Sequence, residues 1–394
     1  MMEWPPPLLT TTSLATTSLP TSIQTVFLIV MENKNWSDIV GNPSAPYLNN
    51  TLLPISSHAE QYFNPPGIHP SLPNYIWLEA GSNLGIYNNS HPDTNHKGTS
   101  NHLVTLLSQA GISWKVYAQG FAGGDCPNSD ITNAHYVVRH NSTMYFDDVR
   151  TNTPYCIQHE RSYSELATDL QSNNVTSYNL IIPDLCHDMH DDCPPLQDRI
   201  LQGDRFLNGL VPAILNSVAY HNGGAIFITW DEGNAADGPI GMIVLSLFAK
   251  GNGYSNAIHY THSSTLRTLQ NIFGVGPLLR DAANSTDLGD LFLPEVVVNP
   301  PKASFRVSPR IGSAPLTVTF TDTSIGTITN RNWRFGDGTK LETTNATISH
   351  TYTSIGSNTV RLIVSGPAGT SKIKRVRYIA VTNSIGAASS ISQD

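Results

Sequence analysis

Five short apolar runs constrain most of this chain: "TVFLIVMEN", "SWKVYAQ", "YNLIIPD", "GAIFITWDE" and "IGMIVLSLFA". Each is too continuous for a half-exposed strand, which would alternate apolar and polar residues, and too short for a long buried helix. They are spaced widely enough for crossover helices, so they predict an α/β domain with a largely parallel sheet, covered on both faces. No run of eighteen or more apolar residues is present, so no transmembrane helix is expected. In open parallel sheets ligands collect beyond the carboxyl ends of the strands. The polar residues that end the runs are therefore the candidates: Glu32 and Asn33, Asp184, and Asp231 with Glu232.

A second window, "GIHPSLPNYIWLEAG", places Ser71 between Pro70 and Pro73. Proline fixes φ and fits a first helical turn, so the segment reads as a stiff loop entering a helix whose exposed N–H groups start near Ser71. The serine could be a simple N-cap, or its hydroxyl could face the anion site that such a terminus offers. Similarly, Glu32-Asn33 could serve an ordinary strand-to-helix turn or supply oxygen to a hard divalent cation.

The chain has 394 residues, enough for two or three domains. Only 13% are charged, and Ser, Thr, Asn and Gly fill the surface role, a composition that points to secretion. Seven Asn-x-Ser/Thr sequons, at Asn35, Asn49, Asn88, Asn141, Asn174, Asn284 and Asn345, agree with an extracellular or cell-surface location. The formal charge of −8 gives no reason to expect a polyanionic partner such as nucleic acid. Four cysteines fit two disulfides in an oxidising compartment. Sequence order suggests Cys126 with Cys156 and Cys186 with Cys193; the competing reading is a zinc site from Cys186, His187, His190 and Cys193 in "CHDMHDDC". The start lacks a basic region followed by an apolar one, so no intact signal peptide is visible.

Residues 1–22, rich in Pro, Thr and Ser, read as an extended tail; 23–297 form the α/β domain; 298–383 alternate in short strands as a β-sandwich; 384–394 form a flexible tail. Within the third segment, "SAPLTVTFTDTS", "WRFGDG" and "HTYTSIGSNTVRLIV" resemble the polycystic-kidney-disease (PKD) repeat, an immunoglobulin-like module. The repeat's usual W-D-F-G-D-G differs here only at Arg334. Trp333 and Phe335 are expected to point inward, with Asp337 and Gly338 turning the chain.

In the α/β domain, "MENKNWSDIVGNPSAPYLN", "HPSLPNYIWLEAG", "PDLCHDMHD", "FITWDEG" and "HSSTLRTLQNIFG" together resemble the secreted phosphoesterase family, a branch of the alkaline-phosphatase superfamily with bacterial acid phosphatases and phospholipases C. Ser71-Leu72-Pro73-Asn74 also mirrors the Thr-x-Pro-Asn motif of that superfamily's nucleotide pyrophosphatases. The resemblance implies an alkaline-phosphatase-like sheet and an extracellular hydrolase of phosphate esters in which Ser71 attacks phosphorus, forming a phosphoseryl intermediate. It implies metal ligation by Glu32, Asn33, Asp231 and Glu232; an oxygen-only set favours Mg²⁺, Ca²⁺ or Mn²⁺ over Zn²⁺. Asn74 would donate to a phosphoryl oxygen, and His190 or His262 would handle the leaving-group proton. His140 is a weaker substrate-binding candidate, as is His69. Asp184 and His187 fall where relatives often carry asparagine, and Asp204 matches a family aspartate that an N-cap explains equally well.

The resemblance implies a phosphomonoester substrate, since the core is short for a phospholipase C of this family and lacks their added C-terminal domains; a phospholipase C-like phosphodiesterase is the alternative. A reading from another class is a structural or adhesive surface protein on an enzyme-derived fold, its tail adding to a neighbour's sheet edge. The PKD module is expected to engage a cell surface, a glycan or another copy.

Overall fold

The computed structural model describes residues 19–234, 238–294 and 299–383. The proposed tails at 1–18 and 384–394, and part of the linker, lie outside the described residues. The chain divides into two compact units, 1–295 and 296–394.

The first unit is built on an eight-stranded sheet. Its strands are β1 (Thr25–Met31), β2 (Ser57–Ala59), β3 (Trp114–Ala118), β4 (Glu160–Ser162), β5 (Tyr178–Ile182), β6 (Gly224–Trp230), β7 (Met242–Ser246) and β8 (Tyr254–Asn256). The spatial order is β4-β3-β5-β1-β6-β7-β2-β8. All neighbours run parallel except at β7, which is antiparallel to both β6 and β2. The central strands are covered on both faces, every residue of β5 and β6 being buried. That is why they read as uninterrupted apolar runs. Each fully buried Ile or Phe there contributes about 1.5–3 kcal/mol of transfer free energy. Leu19 and Ile23 also join this core, so the extended tail expected for 1–22 is docked at its last residues.

Three helices carry residues that the sequence singles out, Ser71, Asp204 and His262: α1 (Ser71–Ala80), α2 (Arg199–Leu215) and α3 (His262–Phe273). Helix α1 ends at Gly81, in the left-handed region at φ 70°. A Cβ there would sit 2.3 Å from the Leu279 carbonyl oxygen, so only glycine fits. Helix α3 packs along α1.

Disulfides join Cys126 to Cys156 and Cys186 to Cys193, which removes the two cysteine ligands from the alternative zinc site. Of the sequons, Asn88, Asn174, Asn284 and Asn345 are exposed. Asn141 is fully buried with its amide on Glu160 Oε2 at 2.7 Å, so the folded chain offers no glycan acceptor there.

The second unit is a two-sheet sandwich. Phe305–Ser308, Leu316–Asp322 and Thr347–Tyr352 form one sheet; Ile311–Ser313, Gly369–Thr382, Gly356–Gly366, Asn330–Arg334 and Lys340–Thr343 form the other, in that order. Trp333 and Phe335 are buried, with Phe305 and Phe320 edge-on to Trp333 at 5.2 and 5.4 Å between ring centroids. The Trp-x-Phe spacing thus fills the core as expected.

Candidate active site

Strands β5, β1 and β6 are adjacent and parallel, so the residues just past their carboxyl ends meet. Glu32 and Asn33 follow β1, Asp231 and Glu232 follow β6, and the loop 183–191 follows β5. Asn33 adopts φ 36°, a left-handed turn that asparagine tolerates. This turn lets its backbone N–H donate to Asp231 Oδ1 at 3.1 Å and its side-chain amide to Glu232 Oε1 at 2.9 Å. The buried ammonium of Lys34 holds the turn, donating to the carbonyls of Asn33 and Met189, both at 2.9 Å.

Helix α1 delivers the serine. Pro70 is the N-cap residue, Ser71 is already helical, and no side chain caps the terminus. The simple N-cap reading therefore fails. The buried Ser71 Oγ instead donates to Glu32 Oε2 at 3.0 Å and lies 3.4 Å from Glu232 Oε1. The next free amide of the helix, Leu72 N–H, goes to Asn89 Oδ1 at 3.0 Å.

The electrostatics are unusual for a folded interior. Glu32, Asp231 and Asp188 are completely buried and Glu232 nearly so. Burial, reinforced for Glu32 by the Asp188 charge and for Asp231 by the Glu32 charge, pushes these carboxyls well above their ordinary range. Burial likewise raises Asp188 strongly and Glu232. Glu32 Oε1, Asn33 Oδ1 and Asp231 Oδ2 have no hydrogen-bond partner. Buried polar atoms are rarely left so. Three oxygens without partners among mutually repelling carboxylates form a donor set of the kind a hard divalent cation takes.

The histidines separate by their surroundings. His140 is buried, stacked on Tyr75 with ring centroids 5.0 Å apart. Its Nε2 lies 3.1 Å from Glu32 Oε1 and its Nδ1 3.3 Å from Asp188 Oδ2, neither in hydrogen-bond alignment. Burial pushes its imidazole well below the ordinary value, and the charges of Arg139 and His190 act in the same direction. His190 is half-exposed; its Nδ1 is held by Asp191 Oδ1 at 2.6 Å, and its ring lies 6.4 Å from that of His140. His69 contacts Glu232 Oε2 through Nδ1.

Several expectations are corrected here. His262 does not face an open site: it is buried, its Nε2 donates to the Asp231 backbone carbonyl, and its Nδ1 accepts from Tyr62 OH at 3.1 Å. Both ring nitrogens are engaged within the fold and burial lowers its pKa to about 4, so in this arrangement it steadies the Asp231 strand end. Asn74 does not extend its amide toward a ligand; Nδ2 donates to the carbonyls of Ile68 at 3.0 Å and Pro70 at 3.3 Å, and to Glu232 Oε2 at 3.3 Å, fixing the loop before Ser71. Asp184 caps its own turn through the backbone N–H groups of Cys186 and His187 and the His187 ring. Asp204 sits inside α2, where Asp198 is the N-cap, and binds the N–H groups of Tyr47 and Leu48.

Asp188 is the residue that sequence reasoning passed over. Its carbonyl accepts the Glu32 N–H at 2.7 Å and its carboxylate faces His140. The only signal was its place in "CHDMHD", two residues before His190.

The arrangement defines a class: an α/β protein whose sheet gathers buried oxygen donors around a serine at a helix N-terminus. The phosphoesterase family model matches residues 57–276, and a PKD domain model matches 300–381. The chain is 28% identical over 283 residues to a phosphatidylinositol-3-phosphatase of Mycobacterium tuberculosis, covering 71% of this chain and 86% of that protein. It is 26% identical over 226 residues to an acid phosphatase of Aspergillus niger, covering 54% and 51%. It is 24% identical over 170 residues to a probable acid phosphatase of Kluyveromyces lactis, covering 42% and 38%. The matches thus span about half or less of the two fungal proteins. The chain belongs to the phosphoesterase family and carries a C-terminal PKD domain. It is a phosphoric ester hydrolase.

Proposed function

We propose that the chain is an extracellular, metal-dependent phosphomonoesterase working through a phosphoseryl intermediate at Ser71. The observation that carries this reading is the Ser71 hydroxyl, buried and aimed at Glu32, beside three oxygens that lack a hydrogen-bond partner. Glu32, Asn33, Asp231 and Glu232 would hold the cation, with Mg²⁺, Ca²⁺ or Mn²⁺ suited to an all-oxygen set. A divalent ion held there supplies activation of the seryl oxygen and neutralisation of phosphoryl charge.

The chain's own groups do the rest. The Ser71 proton leaves along its hydrogen bond toward the carboxylates, and Oγ forms the bond to phosphorus as the ester P–O bond breaks. His190 Nε2, on a ring oriented by Asp191, gives the departing oxygen its proton. His140 with Asp188 lines the phosphoryl side. Water then attacks the phosphoseryl phosphorus, releasing phosphate and restoring the hydroxyl.

The names of the relatives, phosphatidylinositol-3-phosphatase and acid phosphatase, support a monoester substrate. Two disulfides and four exposed sequons support an oxidising, extracellular setting. The test is hydrolysis of p-nitrophenyl phosphate and its diester, side by side, after chelation and refilling with each metal. We expect monoester turnover that needs the ion, and an acid-stable phosphoenzyme absent from Ser71→Ala. Near-full activity of Ser71→Ala or of the chelated protein would overturn the mechanism, and a preference for the diester would overturn the substrate class.

A further inference from the structure

Charge is segregated along this chain. Residues 299–383 hold eleven of its 22 Lys and Arg but only three of its 30 Asp and Glu. In the five-stranded sheet of the PKD domain, Lys340 pairs with Arg334, Arg334 with Arg361, and Arg361 with Lys374. Directly paired residues of antiparallel strands share a face, and the alternate positions Trp333 and Leu362 are buried in the core. The four cations therefore form one row across the outer face of four successive strands. With strands about 4.8 Å apart, the row is about 15 Å long.

This row is not explained by folding. Like charges placed directly opposite destabilise a sheet. Three of the domain's other cations show what stabilising use looks like: Arg331 pairs with the buried carboxylate of Asp322 at 2.6 Å, and Arg310 and Arg375 lie over the Tyr378 ring. Among the described residues, none of the four cations in the row has an ion pair or hydrogen bond of its own. Arg334 is also where the sequence departs from the repeat's usual aspartate, so the departure replaces a negative charge with a positive one at the centre of the row.

We infer that this row is a docking site for a linear anionic polysaccharide. Its shape selects the partner. The row is one residue wide: the next paired row holds Glu342, Asn332, Ile363 and Lys372, with a single net cation-rich end rather than a broad field. A bilayer surface would call for a wide basic patch with several exposed apolar residues to insert; Ile363 is only partly exposed, and well-exposed Val376, two residues beyond Lys374, is a single apolar side chain at one end of the row. Single-stranded nucleic acid would call for outward aromatic rings free to stack, whereas Phe305, Phe320, Trp333, Phe335 and Tyr352 are buried and the partly exposed Tyr378 ring is covered by Arg310 and Arg375. A row of cations at strand spacing, close to the length of a sugar ring, matches a chain bearing one carboxylate or sulfate on successive sugars.

The experiment uses the full-length protein with heparin and polygalacturonate as probes, and with phosphatidylserine vesicles and duplex DNA as the competing surfaces. Binding is followed across salt concentration for wild type, for R334S/R361S, and for K302S/R306S, which removes the same charge from exposed positions off the row. The expected result is salt-sensitive binding to at least one polysaccharide. R334S/R361S should weaken it about tenfold and lower the slope of log Kd against log salt by about two, as loss of two counterion-releasing contacts requires. K302S/R306S should change it less than about twofold. Melting of the domain in R334S/R361S should be unchanged or higher, since a repulsion is relieved. No binding to either polysaccharide, equal losses in the two variants, or tighter binding to vesicles or DNA would each overturn the inference.

Discussion

The other end of the serine helix carries a buried ionic clamp whose removal should be measurable. Glu79, near the C-terminus of α1, accepts from His102 Nδ1 at 2.8 Å and from the Val104 N–H at 2.9 Å. His102 Nε2 faces Asp148 at 3.0 Å, and the ring stacks on Phe146 with centroids 3.8 Å apart. With a carboxylate at each nitrogen, the ring is favoured as imidazolium. Burial alone would lower its pKa, but the hydrogen bonds and charges of Asp148 and Glu79 outweigh burial and raise it. Asp148 moves the other way: despite burial, His102 and Thr105 hold it below the ordinary carboxylate range.

His102→Leu strands the buried Glu79 carboxylate, and removing one partner of a buried ion pair costs about 3–5 kcal/mol. For a unit of this size that lowers Tm by roughly 6–10 °C, at about 2 °C per kcal/mol. The pH dependence has a definite sign. A raised histidine contributes fully below its unfolded pKa of about 6.5 and loses that contribution as pH rises through the folded value. A depressed aspartate contributes above its unfolded value of about 3.9 and loses it as pH falls through the folded one. The difference between wild type and His102→Leu in urea unfolding should therefore be largest between about pH 4 and 6.5 and shrink on the alkaline side. A cost below about 1 kcal/mol, or one unchanged from about pH 5 to 9, would refute the clamp.

Two further outcomes are expected at the site. Asp188→Asn keeps the shape and the carbonyl that holds the Glu32 N–H but removes the charge facing His140; monoester turnover should fall about 100-fold with near-UV circular dichroism unchanged, and a variant keeping half its activity would reduce Asp188 to a structural role. Adding Ca²⁺, Mg²⁺ or Mn²⁺ to chelated protein should raise its thermal transition, by about 2.7 kcal/mol of stabilisation at a hundredfold excess over Kd. That gain should vanish in Glu32→Gln/Asp231→Asn; a transition indifferent to every ion would refute cation binding by these oxygens.

The central strands were legible because burial on both faces leaves only apolar side chains, and their final polar residues then point to the site. The three-residue strands β2, β4 and β8 carry no such run and were not legible. Nor was the reversal of β7, since an apolar run has no direction. The oxygen cluster could be named residue by residue from the strand ends and the resemblance. The histidines could not be sorted, because a sequence gives the residue type and not which ring nitrogen meets a carbonyl. His190 and His262 looked equivalent, and only burial and partners separate a half-exposed ring from one with both nitrogens engaged. Asp188 escaped for a related reason: a loop has no periodicity to mark which of its acids turns inward.

The formal charge of −8 illustrates a different failure. Summed over the whole chain it argues against any polyanionic partner, yet charges interact over roughly one Debye length, about 8–10 Å at physiological ionic strength. The quantity that governs recognition is the potential of one face, and a strongly acidic unit can hide a basic one in the total. The row Lys340–Arg334–Arg361–Lys374 is scattered over some 40 residues of sequence, Arg334 to Lys374, and only strand register brings it together. What the sequence did offer was a single mismatch, Arg334 in place of the repeat's aspartate. A departure that adds repulsion to a sheet, with no compensating contact in the fold, argues for a selective advantage outside the fold.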